Sequence, residues 1–169
     1  MSRSPSTSVS NKATSAKNYI RNGDFETGRL APWELVEGKM VVEEFNGSHQ
    51  AKIAKAETNS HQIKNLVDLE AGHYEFGITV TSPNAGEPTQ TASKPSETVA
   101  IWYCMFQHEG VIYIENQYSL FLGPEPFTYT NPFDIPEGVK QLSVHVIIIN
   151  NPKAPGPTYV DNVSITKID

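Results

Sequence analysis

From Asn18 onward the chain is built of short runs in which apolar and polar residues alternate, separated by clusters of Gly, Pro, Asn, Asp and Ser. Alternation at period two marks a strand with one buried and one wet face, because successive side chains leave opposite sides of the backbone. Residues 73–81 show it most cleanly, with Tyr74, Phe76, Ile78 and Val80 on one side and Glu75, Gly77, Thr79 and Thr81 on the other. In 141–149, Leu142, Val144, Val146 and Ile148 share one face, against Ser143, His145, Ile147 and Ile149. The same reasoning predicts strands over 40–44, 50–55, 62–69, 98–107, 111–122, 127–135 and 158–165. Turn chemistry punctuates them at Phe45-Asn46-Gly47-Ser48, Glu70-Ala71-Gly72, His108-Glu109-Gly110, Gly123-Pro124-Glu125-Pro126 and Pro136-Glu137-Gly138. Loops are expected over 82–97 and 150–157. No stretch carries a helical period and no segment repeats. The pattern predicts about nine or ten strands in an all-β chain of sandwich or jelly-roll size.

Composition narrows the function classes. A chain of 169 residues fits one domain with a real core. Twelve prolines and eleven glycines against 19% charged residues fit many turns and few helices. A net charge of −6 excludes a nucleic-acid groove, which needs a basic face, and is compatible with a neutral partner such as a sugar. Cys104 is the single cysteine, so no intrachain disulfide or cysteine metal cluster forms, and a small buried hydrophobe is expected there. Residues 1–17 are Ser/Thr-rich, with Arg3, Lys12 and Lys17 as their only charges, and read as a disordered tail, with an organelle-targeting leader as the weaker alternative, before one globular unit at 18–169. The tail holds no secretory h-region, and no apolar run approaches the ~18 residues of a membrane span. Location is left open between a non-classical export route and the cytoplasm.

Two segments at opposite ends of the globular part stand out. Asn22-Gly23-Asp24-Phe25-Glu26, followed by Pro32-Trp33, joins a turn, a large aromatic and carboxylates. Tyr159-Val160-Asp161-Asn162-Val163 closes the chain with a carboxylate among apolar residues. Together with the strand entry Leu69-Glu70-Ala71-Gly72-His73-Tyr74, these motifs resemble carbohydrate-binding modules of families 4, 9 and 22, which are galactose-binding-like β-sandwich jelly rolls. The resemblance spans 19–169 with the order and spacing of the motifs kept. It implies the fold more specifically than the ligand, because one fold hosts many sites.

The resemblance implies two kinds of site. The first is a structural calcium between the N-terminal turn and the last strand, bound by carboxylate and carbonyl oxygens. Glu26 and Asp161 match the family's carboxylate ligands and Asp24 a carbonyl ligand. The turn from Asn46 to His49 matches a further ligand segment, with Asn46 standing where some members carry an acid. Glu26 and Asp161 would equally serve as turn caps without metal. The second site is a sugar cleft on the concave face of one sheet, where aromatic rings stack on sugar C–H faces and polar groups meet hydroxyls. Outward parity makes His145 a candidate. In 98–107, small Ala100 and Cys104 fit the core face, which turns Tyr103 and Gln107 toward the cleft. Trp102 is the usual stacking type, yet its apolar neighbours fit a core position as well. On the following strand Tyr113, Glu115 and Gln117 share a face, with Tyr113 the first choice. A stacking Trp of some family members is missing, since the corresponding stretch reads Thr58-Asn59-Ser60-His61. Trp33 corresponds to the family's packing tryptophan.

Catalytic signatures are lacking. The five histidines show no metal-ligand spacing, and there is no nucleophile elbow or phosphate loop. Glu43 and Glu44 are adjacent and point to opposite faces, so they cannot act as a carboxylate pair. A lyase built on His145 with Tyr103 or Tyr113 would need a cationic neutraliser, but Arg21 and Arg29 both sit in the N-terminal segment. The expected function is therefore non-catalytic binding of a polysaccharide or glycan. The competing expectation is a protein-interaction, toxin-component or adhesion domain reusing the fold, with a protein partner or a second copy of the chain.

Overall fold

The structure, a computed structural model, describes residues 17–53, 60–83, 99–121, 124–149 and 157–168, with the backbone alone for 99–100 and 115–121. Ten strands form: β1 (Glu34–Glu37), β2 (Val41–Phe45), β3 (Ser48–Ile53), β4 (Ser60–Leu66), β5 (Gly72–Thr81), β6 (Val99–His108), β7 (Val111–Phe121), β8 (Phe127–Ile135), β9 (Val139–Ile149) and β10 (Thr158–Lys167). Two five-stranded sheets carry them, ordered β1-β4-β9-β6-β7 and β2-β3-β10-β5-β8. Every pairing is antiparallel. The described residues contain no helix. The predicted tail, apart from Lys17, and most of the two predicted loops lie outside the described residues.

Alternation decides which faces meet. Tyr74, Phe76, Ile78 and Val80 of β5 are buried with Leu142, Val144, Val146 and Ile148 of β9, as their parity predicts, and with Trp102, Cys104 and Phe106 of β6, the face that small Ala100 and Cys104 favour. Burial pushes the Cys104 thiol up to about 12, so it stays protonated and inert. Trp102 is fully buried and stacks on Phe76 of the facing sheet, with centroids 3.9 Å apart and 16° between planes. Its indole N–H donates to Asn131 Oδ1 of β8 at 2.9 Å, so the one polar atom of the ring is satisfied inside the sandwich. Trp102 is thereby removed from the ligand-stacking candidates: a ring clamped between the sheets has no face to offer a sugar.

Three features depart from the sequence reading. β1 was not expected, because all four of its residues are exposed and no alternation marks it. It is an edge strand held by pairing to β4. β9 starts two residues earlier than its apolar pattern, with Gln141 at φ 55 beside a register shift against β6. β10 is not a continuous strand: Asp161 pairs with Thr79 but Ser164 pairs with Gly77, so the register slips between them, with Asn162 at φ 50. This bulge keeps Val160, Val163 and Ile165 all on the core face.

The bulge also turns the Val163 backbone N–H and C=O toward the N-terminal segment. Val163 N–H donates to Gly23 O at 2.8 Å, and Val163 O accepts from Asn18 Nδ2 at 3.2 Å. Asn18 Oδ1 accepts from the N–H groups of both Ile20 and Ile165, at 2.9 and 3.0 Å. Behind this seam Phe25 and Trp33 stack at 5.8 Å and are buried, and the Trp33 indole N–H donates to Asn22 O at 3.0 Å. Trp33 thus has the packing role expected of it. A Cβ on Gly23 would lie 1.9 Å from Val163 O, so only glycine permits the approach. Gly23→Ala is expected to cost on the order of 3 kcal/mol or more, lowering Tm by about 6–12 °C in thermal unfolding. Gly47→Ala, where a Cβ meets nothing within 4 Å but φ is +83°, should cost only about 1–2 kcal/mol.

Candidate functional site

The outward side of the β1-β4-β9-β6-β7 sheet gathers a polar network on its three central strands. The register sets Tyr103 of β6 and Lys64 of β4 on either side of His145 of β9. The Tyr103 and His145 rings stack, with centroids 4.6 Å apart and 12° between planes. Gln62 of β4 reaches across: its amide nitrogen lies 2.9 Å from Tyr103 Oη and 2.8 Å from His145 Nδ1. Ser143 Oγ lies 2.9 Å from His145 Nε2. Both ring nitrogens of His145 are therefore engaged. The imidazole is only 3% exposed although it sits on the outward face. Loss of hydration, and secondarily the positive charge of Lys64, push its pKa down to about 4, so the ring is neutral at ordinary pH.

The sequence candidates divide accordingly. Tyr103 and His145 come together, Tyr103 half-buried and His145 beneath its neighbours, out of direct reach of a ligand. Gln107 lies on the same strand as Tyr103, four residues along and about 13 Å away by strand rise. There it lines a surface depression with Glu109, Gly110, Gly138 and Lys140.

Tyr113 requires correction. The two-residue turn Glu109-Gly110 (φ 53° and 78°) pairs His108 with Val111 and hence Tyr113 with Phe106. Its ring stacks on Phe106 at 5.7 Å, on the core side of β7 and away from Tyr103. Glu115 is in register with Cys104, and its side chain, like that of Gln117, lies outside the described residues. The outward positions opposite Gln107 and Met105 are instead Ile112 and Ile114, both exposed. Gln62 and Ser143 were not singled out from the sequence. A polar residue on the wet face of a strand carries no mark until the register shows what lies beside it. His61, in the stretch where a Trp is missing, is buried and accepts from Lys39 N–H at 2.8 Å, so it is no platform.

The residues expected to hold calcium lie at the seam between the N-terminal turn and β10. Asp161 is 5% exposed, and its carboxylate accepts from Ser48 Oγ at 3.1 Å and from Asn162 N–H at 2.8 Å. Glu26 accepts from His49 N–H at 2.9 Å, and its other oxygen lies 3.3 Å from His49 Nδ1. Asp24 Oδ1 accepts from Glu26 N–H at 3.2 Å. Asn46 occupies the left-handed turn before Gly47. Burial, opposed in part by its two hydrogen bonds, pushes the Asp161 pKa up, and the charges of Glu26 and Asp24 add to the rise. Hard oxygen donors under mutual repulsion fit a divalent cation in charge and chemistry. Among the described residues, however, no three His, Cys, Asp or Glu side chains form a metal-binding group. A closed side-chain cage is therefore not present, and any cation here would also draw on backbone carbonyls.

A scan against protein-family models finds no match, and no curated protein is significantly similar in sequence. Solved structures are similar in fold. A family 16 carbohydrate-binding module superposes with a TM-score of 0.62 at 15% identity, over 88% of this chain and 99% of its own. The module TmCBM61, solved in complex with β-1,4-galactotriose, gives 0.60 at 16% identity over 90% and 99%. The CBM22-1 xylan-binding domain of Paenibacillus barcinonensis Xyn10C gives 0.62 at 10% identity over 87% and 92%. At these identities the likeness is one of fold: the chain has the jelly-roll β-sandwich architecture of carbohydrate-binding modules.

Proposed function

We propose that this protein binds a polysaccharide or glycan, without catalysis, on the outward face of the β1-β4-β9-β6-β7 sheet around Tyr103 and Gln62. The observation that carries the reading is the Tyr103–Gln62 pair itself: an aromatic ring and an amide, both partly exposed and hydrogen-bonded to each other, on the central strands of a carbohydrate-binding-module fold. A ring with an apolar face beside groups that meet hydroxyls is what a sugar needs. A competing reading, a protein-interaction or adhesion domain, draws on the exposed Val111, Ile112 and Ile114 at the edge of β7. A glycan array followed by affinity electrophoresis on soluble polysaccharides, with light scattering of the same sample, separates the two. The expected result is a monomer with glycan affinity that Tyr103→Ala lowers about tenfold or more. A self-associating protein that binds no glycan would favour the competing reading.

A structural calcium at the seam is the second part of this proposal. The carboxylates of Glu26 and Asp161 and the carbonyl of Asp24 would hold it, with the Asn46 to His49 turn beside them. Its support is Asp161, whose carboxyl is desolvated and whose pKa is raised further by the charges of Glu26 and Asp24. A carboxyl whose folded pKa is raised stabilises the fold below its unfolded value and loses that contribution as pH rises through the folded value. Without a cation, ionised Asp161 is therefore a cost at neutral pH, and Asp161→Asn should leave Tm unchanged or raise it. With calcium bound, chelation lowers the wild-type Tm, while Asp161→Asn lowers Tm in calcium and abolishes the response to chelator. Differential scanning calorimetry with and without chelator reads the two cases directly.

A further inference from the structure

We infer that His145 is a positioning residue: it fixes the direction of the hydrogen bonds around Gln62 so that the sheet face presents a phenolic donor beside an amide acceptor to one sugar diol. The inference rests on the carbohydrate-binding reading and goes further, assigning the network a polarity and His145 a role that involves no contact with ligand.

The polarity follows from the orientation of the Gln62 amide, nitrogen toward both partners, which is the orientation the tautomer measurement below tests. The Gln62 amide nitrogen lies within 2.9 Å of two partners, Tyr103 Oη and His145 Nδ1, and carries two hydrogens. Both are used. Nδ1 of His145 is then an acceptor, and the ring's single proton sits on Nε2, donated to Ser143 Oγ at 2.9 Å. Tyr103 Oη accepts from Gln62, so its own O–H is available as a donor. Gln62 Oε1 makes no hydrogen bond within the described residues and remains an acceptor. One donor and one acceptor from adjacent strands, on neighbouring side chains already bonded to each other, match two vicinal hydroxyls, each of which both gives and takes a hydrogen bond. His145 is buried beneath these groups and acts through them.

Neutrality of the ring is part of the device. The titratable groups on this outward face are Lys64 from β4, Tyr103 from β6, Lys140 toward the far end of β9, and Glu34 and Glu37 from β1 beyond β4. Of these, Lys64 acts on His145 and disfavours its cation. Protonation would place a hydrogen on Nδ1 and force the Gln62 amide to turn over, which reverses the outward pattern. The folded pKa of about 4 lies below the ordinary 6.5, so the unfolded chain takes up the proton first and stability falls as pH drops from 6.5 toward 4. Binding, by contrast, should be flat from neutral pH to about pH 5 and fall through about pH 4, where the folded protein itself titrates.

Two measurements test the inference. Nitrogen-15 NMR of the imidazole in the free protein at neutral pH should show the Nε2–H tautomer, and an Nδ1–H tautomer overturns the inference whatever the protein binds. Isothermal titration with the best-binding oligosaccharide of a panel containing xylohexaose and β-1,4-galactotriose gives the second readout. His145→Phe keeps a ring to stack on Tyr103 but offers no acceptor, and should weaken binding about tenfold or more. His145→Asn places an amide oxygen where Nδ1 was, and should restore most of the affinity while removing the fall near pH 4. Circular dichroism confirms that each variant is folded. Affinity unchanged in His145→Phe, or an acid-induced loss that persists in His145→Asn, overturns the positioning role. If wild-type protein showing the Nε2–H tautomer binds no glycan on the array, the binding reading fails, and with it the role toward ligand, while the polarity of the network stands.

Discussion

The backbone hydrogen bonds of one residue, Val163, hold the rest of the structure in order. A bulge in the middle of a sheet leaves backbone groups without their ladder partners, and buried groups left so are costly. Here the N-terminal segment supplies the partners: Gly23 O takes the N–H and the Asn18 amide serves the carbonyl. Several consequences share this cause. The shift in β10 keeps Val160, Val163 and Ile165 together in the core while Asp161 stays on the other face. The segment from Asn18 to Gly23 is fastened to the last strand. Phe25 and Trp33 are then drawn over the core as a lid on that end of the sandwich. The Asn-Gly motif that stood out in the sequence is thus a close-approach device first: the glycine is required by Val163 O, independently of any metal.

Much of the scaffold was legible because burial imposes parity. Where one face of a strand is packed, each side chain of 73–81 and 141–149 declares its side; 98–107 is apolar on both faces, so small Ala100 and Cys104 point to the core face while Trp102 stays open between core and ligand until its stack on Phe76 is seen. What escaped was set by register between strands. Tyr113 was grouped with Glu115 and Gln117 by parity along its own strand, which does not say which face of the sheet the three share. The Glu109-Gly110 turn could have corrected this, since a two-residue loop with two positive φ angles pairs 106 with 113 and puts them on one face. The β10 bulge had a weaker signal: Asp161-Asn162 interrupts the apolar alternation, and a left-handed Asn is one of the few residues that can absorb the slip. β1, short and exposed on both faces, sets Leu35 and Val36 side by side and so carried no alternation to read.

The polar network on the outward sheet face was invisible for a different reason. Gln62 and Ser143 gain meaning only because antiparallel pairing brings β4, β9 and β6 side by side. A histidine 3% exposed with both nitrogens bonded is an expensive thing to build into a sheet face, since every member of such a network must be satisfied. The desolvation that lowers its pKa is the same desolvation that makes its hydrogen bonds directional and strong. A residue that merely filled space there would be served better by Val or Ile, which its neighbours on β9 already are.

The seam and the face are electrostatically separate. Asp161 points outward from the β2-β3-β10-β5-β8 sheet, while Tyr103 points outward from the other. Packed sheets lie about 10 Å apart, and side chains on opposite outward faces stand farther still, on the order of 20 Å. The causes of the His145 shift are burial and Lys64, with no acid of the seam among them. Charge at the acidic seam therefore has little direct influence on the protonation of His145, which answers to its own burial and to Lys64 on the adjacent strand. Mechanical coupling between the two regions would run through the core contacts that join the sheets, among them the Phe76–Trp102 stack and the Trp102–Asn131 hydrogen bond. A close-packed core of this kind transmits displacement poorly unless it has a second packing to adopt. A change at the seam should thus alter how much of the protein is folded without altering how the folded protein presents its Tyr103 and Gln62 face.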